Sequence, residues 1–286
     1  MTTILDGRAT TAVVMEEVAA EVEKLAGKGI VPGLALVLTG DDKYSARYVK
    51  LKKKRAEKIG MYAEFHHFEE TTDKELLAFI EKLNADPKIH GIMVQLPLAK
   101  GLDELLAVDA ILPEKDVDGL SPNTLGKVLM GEDCYLPAGI EAIMELLKRY
   151  DISPEGKHWL VAGGTNFLSK PLAAYIMNMK SRVTQAGAKC PHIPTLAKTA
   201  DVICTEMFKK HAITADMVKD GVIIIDNGNN YEGKKVFGDV DPAVYEKASA
   251  YTPVPGGTGP MLIAMLLRNT VKAARSEERR VGKECR

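Results

Sequence analysis

The sequence predicts an α/β protein of two domains with parallel sheets, whose C-terminal helix returns to the first domain. Three observations lead there. Short continuous apolar runs such as residues 34–38 recur, of the kind found in strands buried on both faces. Stretches of helical period alternate with them, which is the rhythm of βαβ crossovers. The alternation then restarts after a helix at 140–150, and 286 residues with 46% hydrophobic content suffice for two modest cores.

The elements follow in order. Val13, Val14, Val18, Val22 and Leu25 make a helical stripe that Gly27 and Gly29 terminate. The apolar run 34–38 is a strand, closed by a turn at Gly40, Asp41 and Asp42. A helix over 45–59, a strand over 62–68, a helix over 73–84 and a strand over 91–95 complete the first unit. Beyond the helix at 140–150, strands are predicted at 158–162, 182–185, 201–204 and 222–226. Thr252-Pro253-Val254-Pro255-Gly256-Gly257 admits neither regular helix nor central strand and is read as a shaped loop. The apolar stretch 261–271 forms the returning helix. The domains are drawn at 1–138 plus 259–274 and at 139–258; residues 275–286, dense in Glu and Arg with no apolar stripe, are read as an appended or disordered tail.

Composition narrows the function. Lys plus Arg number 38 against 39 for Asp plus Glu, too balanced to hold nucleic acid or an anionic membrane, so the expected partner is a small molecule. The 4 cysteines form no C-x-x-C pair and sit near no histidine at ligand spacing, so no metal is expected and a reducing cytoplasm suits the chain. No signal peptide and no apolar run of roughly 20 residues is evident.

Three polar constellations stand out. Ser45, Tyr48 and Lys52 share one helix face, where a tyrosine can orient a lysine and desolvation can bring that lysine toward neutrality. Gln95 ends a buried strand, where open α/β sheets bind ligands, followed by Leu96 and Pro97; it is either a partner for a catalytic lysine or a strand-end cap. Asp116 and Asp118 flank one valine, which is either an ordinary Asx turn or a carboxylate for a ring bearing adjacent N–H donors, as a pterin does.

Residues 45–52, Val94-Gln95-Leu96-Pro97-Leu98, Lys115-Asp116-Val117-Asp118-Gly119, Gly238-Asp239-Val240 and the run from Thr252 through Met261 together resemble, in order, the signatures of the methylenetetrahydrofolate dehydrogenase/methenyltetrahydrofolate cyclohydrolase family. The likeness spans residues 5–274. It implies a folate-binding first domain, a Rossmann-like nicotinamide domain and a cytoplasmic homodimer. It makes Lys52 the cyclohydrolase lysine, Tyr48 the residue that stacks on or orients folate, Gln95 the partner that tunes Lys52, and Asp118 the pterin anchor. Ser45, Val94, Leu96, Pro97, Pro255, Gly256 and Gly257 complete the implied substrate site. The implied reactions are oxidation of 5,10-methylenetetrahydrofolate to 5,10-methenyltetrahydrofolate and hydrolysis of the latter to 10-formyltetrahydrofolate.

The implied cofactor residues are Gly163, Gly164, Thr165, Asn166, Pro171, Lys189, Thr205, Asn227, Gly228 and Thr258, and here the sequence departs from the family. Gly164 stands where the family has the arginine suited to a ribose 2′-phosphate, and Ser169 replaces a glycine at the helix start. The family's Cys-His-Ser-x-Thr reads Ala186-Gly187-Ala188-Lys189-Cys190, Phe208 replaces a glycine, Leu262 replaces a threonine, and the loop at 136–139 is shortened. The family cofactor is NADP; Gly164 leaves NAD as an alternative, with Lys170 or Lys189 available as point charges for a 2′-phosphate. A monofunctional cyclohydrolase with a degenerate cofactor site and a non-catalytic folate-binding protein are the rival readings.

Overall fold

The computed structural model describes residues 2–284, with side chains through Ser276. In chain order the elements are β1 (Thr3–Ile4), α1 (Gly7–Ala26), β2 (Gly33–Thr39), α2 (Lys43–Lys58), β3 (Tyr62–Phe68), α3 (Asp73–Ala85), β4 (Gly91–Val94), α4 (Glu104–Asp109), α5 (Pro122–Met130) and α6 (Ala138–Arg149). There follow β5 (His158–Gly163), α7 (Ser169–Asn178), β6 (Arg182–Ala186), α8 (Ile193–Ala197), β7 (Val202–Glu206), β8 (Ile223–Asp226), β9 (Asn230–Glu232), β10 (Lys235–Phe237), β11 (Ala250–Tyr251) and α9 (Thr258–Glu284). The chain divides into two compact units: one of 1–13, 127–133 and 139–262, the other of 14–126, 134–138 and 263–286. Most of the proposed tail at 275–286 lies outside the residues whose side chains are described.

The smaller sheet, in the order β3-β2-β4, is parallel throughout. Its middle strand is buried at every residue, as its unbroken apolar run requires. Ala35, Val37, Ile92 and Val94 pack with Leu76, Ile80 and Leu83 of α3 on one face. Helix α3 begins with a reciprocal capping box between Thr72 and Glu75, which satisfies two backbone donors at the helix start. Helix α2 is capped by Asp42, whose carboxylate accepts from the Ser45 amide at 2.8 Å.

The larger sheet runs β1-β11-β8-β7-β5-β6, all parallel, with the antiparallel β9-β10 hairpin beside it in sequence. The chain leaves β5 for β6 on one side and returns to β7 on the other, so the strand order reverses at β5 and β7. That reversal is where sheets of this kind take ligands, beyond the carboxyl ends of the strands. One core lies between the sheet and α8, joining Leu160, Ala162, Ile203 and Ile224 to Ile193 and Ala197.

Three differences from the sequence reading have a physical reason beyond a shift of a residue or two at an element's end. Strand β7 runs to Glu206 rather than 204, because parallel pairing with β5 continues through Thr205 opposite Ala162 and Glu206 opposite Gly163. Helix α9 starts at Thr258, with Pro260 in its first turn where a missing amide hydrogen costs nothing. Strand β1 had no sequence signal, since its Thr3 and Ile4 become a strand only by pairing with Ala250 and Tyr251.

Candidate active site

The residues expected at folate, other than Pro255, Gly256 and Gly257, belong to the smaller-sheet unit, and three of them meet directly. Helix α2 turns Val49, Lys52 and Ala56 to its buried face, so an amine stands where a hydrophobe would normally pack. Lys52 is only 6% exposed. Its Nζ donates to Oε1 of Gln95 at 3.0 Å, touches Sδ of Met93 at 3.5 Å, and lies 4.5 Å from the ring centre of Tyr48. Gln95 sits just past the end of β4, and its Nε2 donates to the Leu96 carbonyl at 2.7 Å, which turns Oε1 toward the amine. The family resemblance singled out Lys52, Tyr48 and Gln95, and here they are adjacent. Met93 was not foreseen, because an apolar residue within a buried strand carries no distinguishing sequence signal.

Electrostatics follow from this burial. Desolvation pulls the Lys52 amine down from 10.5 to about 8, with the Asp118 carboxylate opposing the shift. The Tyr48 hydroxyl is pushed up to about 12, chiefly by desolvation and secondarily by Asp118, so it stays protonated as a donor. Asp118 is itself raised by desolvation, with Lys52 opposing and Asp116 reinforcing.

The two aspartates of the 115–119 turn have separate roles. Asp116 is a structural Asx residue: its carboxylate accepts from the amides of Gly119, Leu120 and Ser121 at 3.1, 3.2 and 3.0 Å and from Thr124 Oγ1 at 2.6 Å. Asp118 is left half-buried and coupled to Lys52. Gly119 adopts φ 73, and a Cβ there would come within 2.6 Å of the Tyr135 carbonyl, so only glycine permits this path. From α9, Asn269 Nδ2 donates to the carbonyls of Val117 and Leu136 at 3.1 and 3.3 Å, holding the turn from behind. A fully buried asparagine in an otherwise apolar helix stripe is the signal that could have revealed this. Ser45, Val94, Leu96 and Pro97 belong to the same unit: Val94 is buried, Ser45 and Leu96 are half-buried, and Pro97 is exposed.

The residues expected at the cofactor belong to the larger-sheet unit, as do Pro255, Gly256 and Gly257. Gly256 accepts the Gly7 amide at 2.9 Å, and a Cβ on Gly7 would collide with the Gly257 carbonyl at 1.6 Å, so this loop is sealed backbone to backbone. Gly163 closes β5, and a Cβ on it would stand 2.2 Å from Ser169 Oγ. Gly164 is exposed with open space around it, and Thr165 and Asn166 lead into α7, where Pro171 is buried. Thr258 Oγ1 donates to Asn227 Oδ1 at 2.6 Å, and Thr205 Oγ1 donates to Asp226 at 3.1 Å. Gly228 lies tight against Asp239, with space for no Cβ. Lys189 is exposed in the loop after β6. Phe208 is 56% exposed at φ 52, and His211 shares that left-handed conformation, so the phenyl ring points outward.

Glu206 is the residue the sequence reading passed over. It ends β7, is 8% exposed, and accepts from the hydroxyls of Thr165 and Ser169 and from the Ser169 amide at 3.2 Å. No group of three or more His, Cys, Asp or Glu among the described residues is arranged to hold a metal, and no described helix is long and apolar enough to cross a membrane.

Known proteins share this architecture. A chain from Campylobacter jejuni, described as the bifunctional enzyme FolD, methylenetetrahydrofolate dehydrogenase/cyclohydrolase, superposes with a TM-score of 0.95 at 40% identity, covering 97% of this chain and 100% of that one. The Trypanosoma brucei enzyme, complexed with NADP cofactor and inhibitor, superposes with a TM-score of 0.92 at 30% identity, covering 97% and 99%. The bifunctional protein FolD of Nautilia profundicola is 44% identical over 277 residues, covering 96% of this chain and 98% of that protein. Residues 5–118 match the tetrahydrofolate dehydrogenase/cyclohydrolase catalytic domain and residues 137–278 its NAD(P)-binding domain. The chain belongs to the tetrahydrofolate dehydrogenase/cyclohydrolase family.

Proposed function

We propose that this chain oxidises 5,10-methylenetetrahydrofolate to 5,10-methenyltetrahydrofolate and hydrolyses that product to 10-formyltetrahydrofolate, with residues 1–138 and 259–274 serving folate and 139–258 serving the nicotinamide cofactor. The observation that carries the reading is the Lys52 amine, held near neutrality by burial and aimed by Gln95. Hydrolysis needs a water activated beside an electrophilic carbon. Neutral Lys52 takes one proton from that water as its oxygen bonds to the methenyl carbon. The adduct's hydroxyl then releases its remaining proton to solvent as its electrons form the formyl C=O, the carbon's bond to N5 breaks, and Lys52 returns its proton to N5. Tyr48, kept protonated, orients the amine and the ring, while Asp118 accepts the pterin's paired N–H donors. Ser45, Val94, Leu96 and Pro97 are assigned to the remaining substrate contacts.

A nicotinamide cofactor would supply hydride acceptance. The strand-order reversal at β5 and β7 and the open backbone at Gly164 fit a dinucleotide, with residues 163–166 at its pyrophosphate and Pro171, Thr205, Asn227, Gly228 and Thr258 around it. NADP is the form we assign: no acid at 186–190 follows β6 to bond a free 2′-hydroxyl, and Lys189 there offers a positive charge to a 2′-phosphate. NAD is the competing choice because position 164 lacks an arginine. A cytoplasmic location and a homodimer accompany this reading on resemblance, and light scattering on the purified chain tests the dimer.

The test is spectroscopic. Loss of methenyltetrahydrofolate absorbance without any nicotinamide should be accelerated by the chain, and reduced cofactor should appear when methylenetetrahydrofolate is supplied with NADP. Acceleration of neither reaction would leave a non-catalytic folate binder. Hydrolysis alone would establish the monofunctional reading, which Glu206 at the cofactor loop specifically favours.

A further inference from the structure

We propose that Glu206 is a built-in competitor for the cofactor's pyrophosphate, and that its carboxylate sets how tightly this unit takes a dinucleotide. The inference rests on the reading of residues 139–258 as the nicotinamide domain. In a parallel sheet of this order, an anionic ligand meets the first amides of the helix that follows the first strand. That helix is α7. Its N-cap residue, Leu168, has no side chain able to accept from those amides, and no side-chain cap is formed. An acidic side chain delivered from the neighbouring strand does the work instead.

The geometry is specific. Parallel pairing sets Glu206 opposite Gly163, at the strand end beside the helix start. A single oxygen, Oε2, accepts from Thr165 Oγ1, Ser169 Oγ and the Ser169 amide. Thr165 Oγ1 in turn accepts from the Leu168 amide at 3.2 Å. A carboxylate can only accept, so both hydroxyl protons are committed to it. These are the donors a phosphate entering the same place would need. Two anions brought to one set of donors repel, and at 8% exposure water screens Glu206 poorly. Nor is there slack around it: a Cβ on Gly163 would sit 2.2 Å from Ser169 Oγ and 3.1 Å from Glu206 Cβ. A dinucleotide therefore binds only by displacing a contact the protein makes with itself.

Calorimetric titration of NADP and of NAD into the full chain, Glu206→Gln and Glu206→Ala tests this. The glutamine keeps the shape and one acceptor while removing the charge, so it remains folded if the alanine does not. Both variants should bind at least one dinucleotide about tenfold more tightly than the unsubstituted chain. A mere helix cap behaves oppositely: its loss lowers the melting temperature with no gain in affinity. Unchanged or weaker binding in a folded glutamine variant overturns the proposal, as does failure of every variant to bind either dinucleotide. Methenyltetrahydrofolate hydrolysis, followed in the same preparations without dinucleotide, reports separately on whether the folate reading stands.

Discussion

Nζ of Lys52 and Oε1 of Gln95 lie 3.0 Å apart although 43 residues separate them in the chain. Neither side chain is unusual alone. Burial brings the amine down to about 8, and Gln95 fixes where it points.

Replacing Lys52 by Met should abolish hydrolysis and raise thermal stability. The folded value lies below the unfolded one, 10.5 falling to about 8, so the charged form carries a penalty on the order of 3 kcal/mol. Between these values the unfolded chain holds more protons and stability rises with pH. The stabilising effect of Lys52→Met should accordingly be largest below pH 8 and shrink as pH approaches 10.5. Calorimetric scans at pH 7 and pH 9.5 check this, and retained hydrolysis in the variant would refute the catalytic assignment.

The hydrolysis rate should climb with pH through about 8 as Lys52 loses its proton. Gln95→Glu puts a negative charge beside the amine, favours its charged form and should move the profile to higher pH. Asp118→Asn removes a charge that holds the Lys52 value up, and should move the profile to lower pH while raising KM through the lost pterin contact. Shifts in the same direction for both variants would show that a group other than Lys52 governs the profile.

Asn269→Leu should destabilise the chain by about 2 kcal/mol, because the carbonyls of Val117 and Leu136 lose their donor in the interior. Chemical denaturation measures the loss. A raised KM for folate is also expected, since Val117 adjoins Asp118.

Phe208→Gly should stabilise the fold by about 1 kcal/mol. The phenylalanine sits at φ 52, a left-handed backbone that costs a side-chain-bearing residue on that order, and its exposed ring contributes little packing. A lower denaturation midpoint for the glycine variant would show that the ring is held by contacts worth more than the strain.

Much of this was legible in residue order. Apolar runs for the buried β2 and β4, the period of α2 and α3, and the glycine stop after α1 are local matters: a strand's alternation or a helix's turn is written in neighbouring residues. The Lys52, Tyr48 and Gln95 motifs were visible in the same way, as residue types at helical spacing and at a strand end. Distance in the chain hid the rest. Only folding separates Asp116, whose oxygens are consumed by its own turn, from Asp118, which couples to Lys52. Likewise β1 exists because Ala250 and Tyr251 pair with it, and Asn269 matters because it reaches two carbonyls more than a hundred residues earlier in the chain. Glu206 reads as one acid after an apolar run, and becomes the cap of α7 through its register against Gly163. Local pattern decides which elements form; which polar groups are left unsatisfied, and therefore available for chemistry, depends on what the packed chain brings beside them.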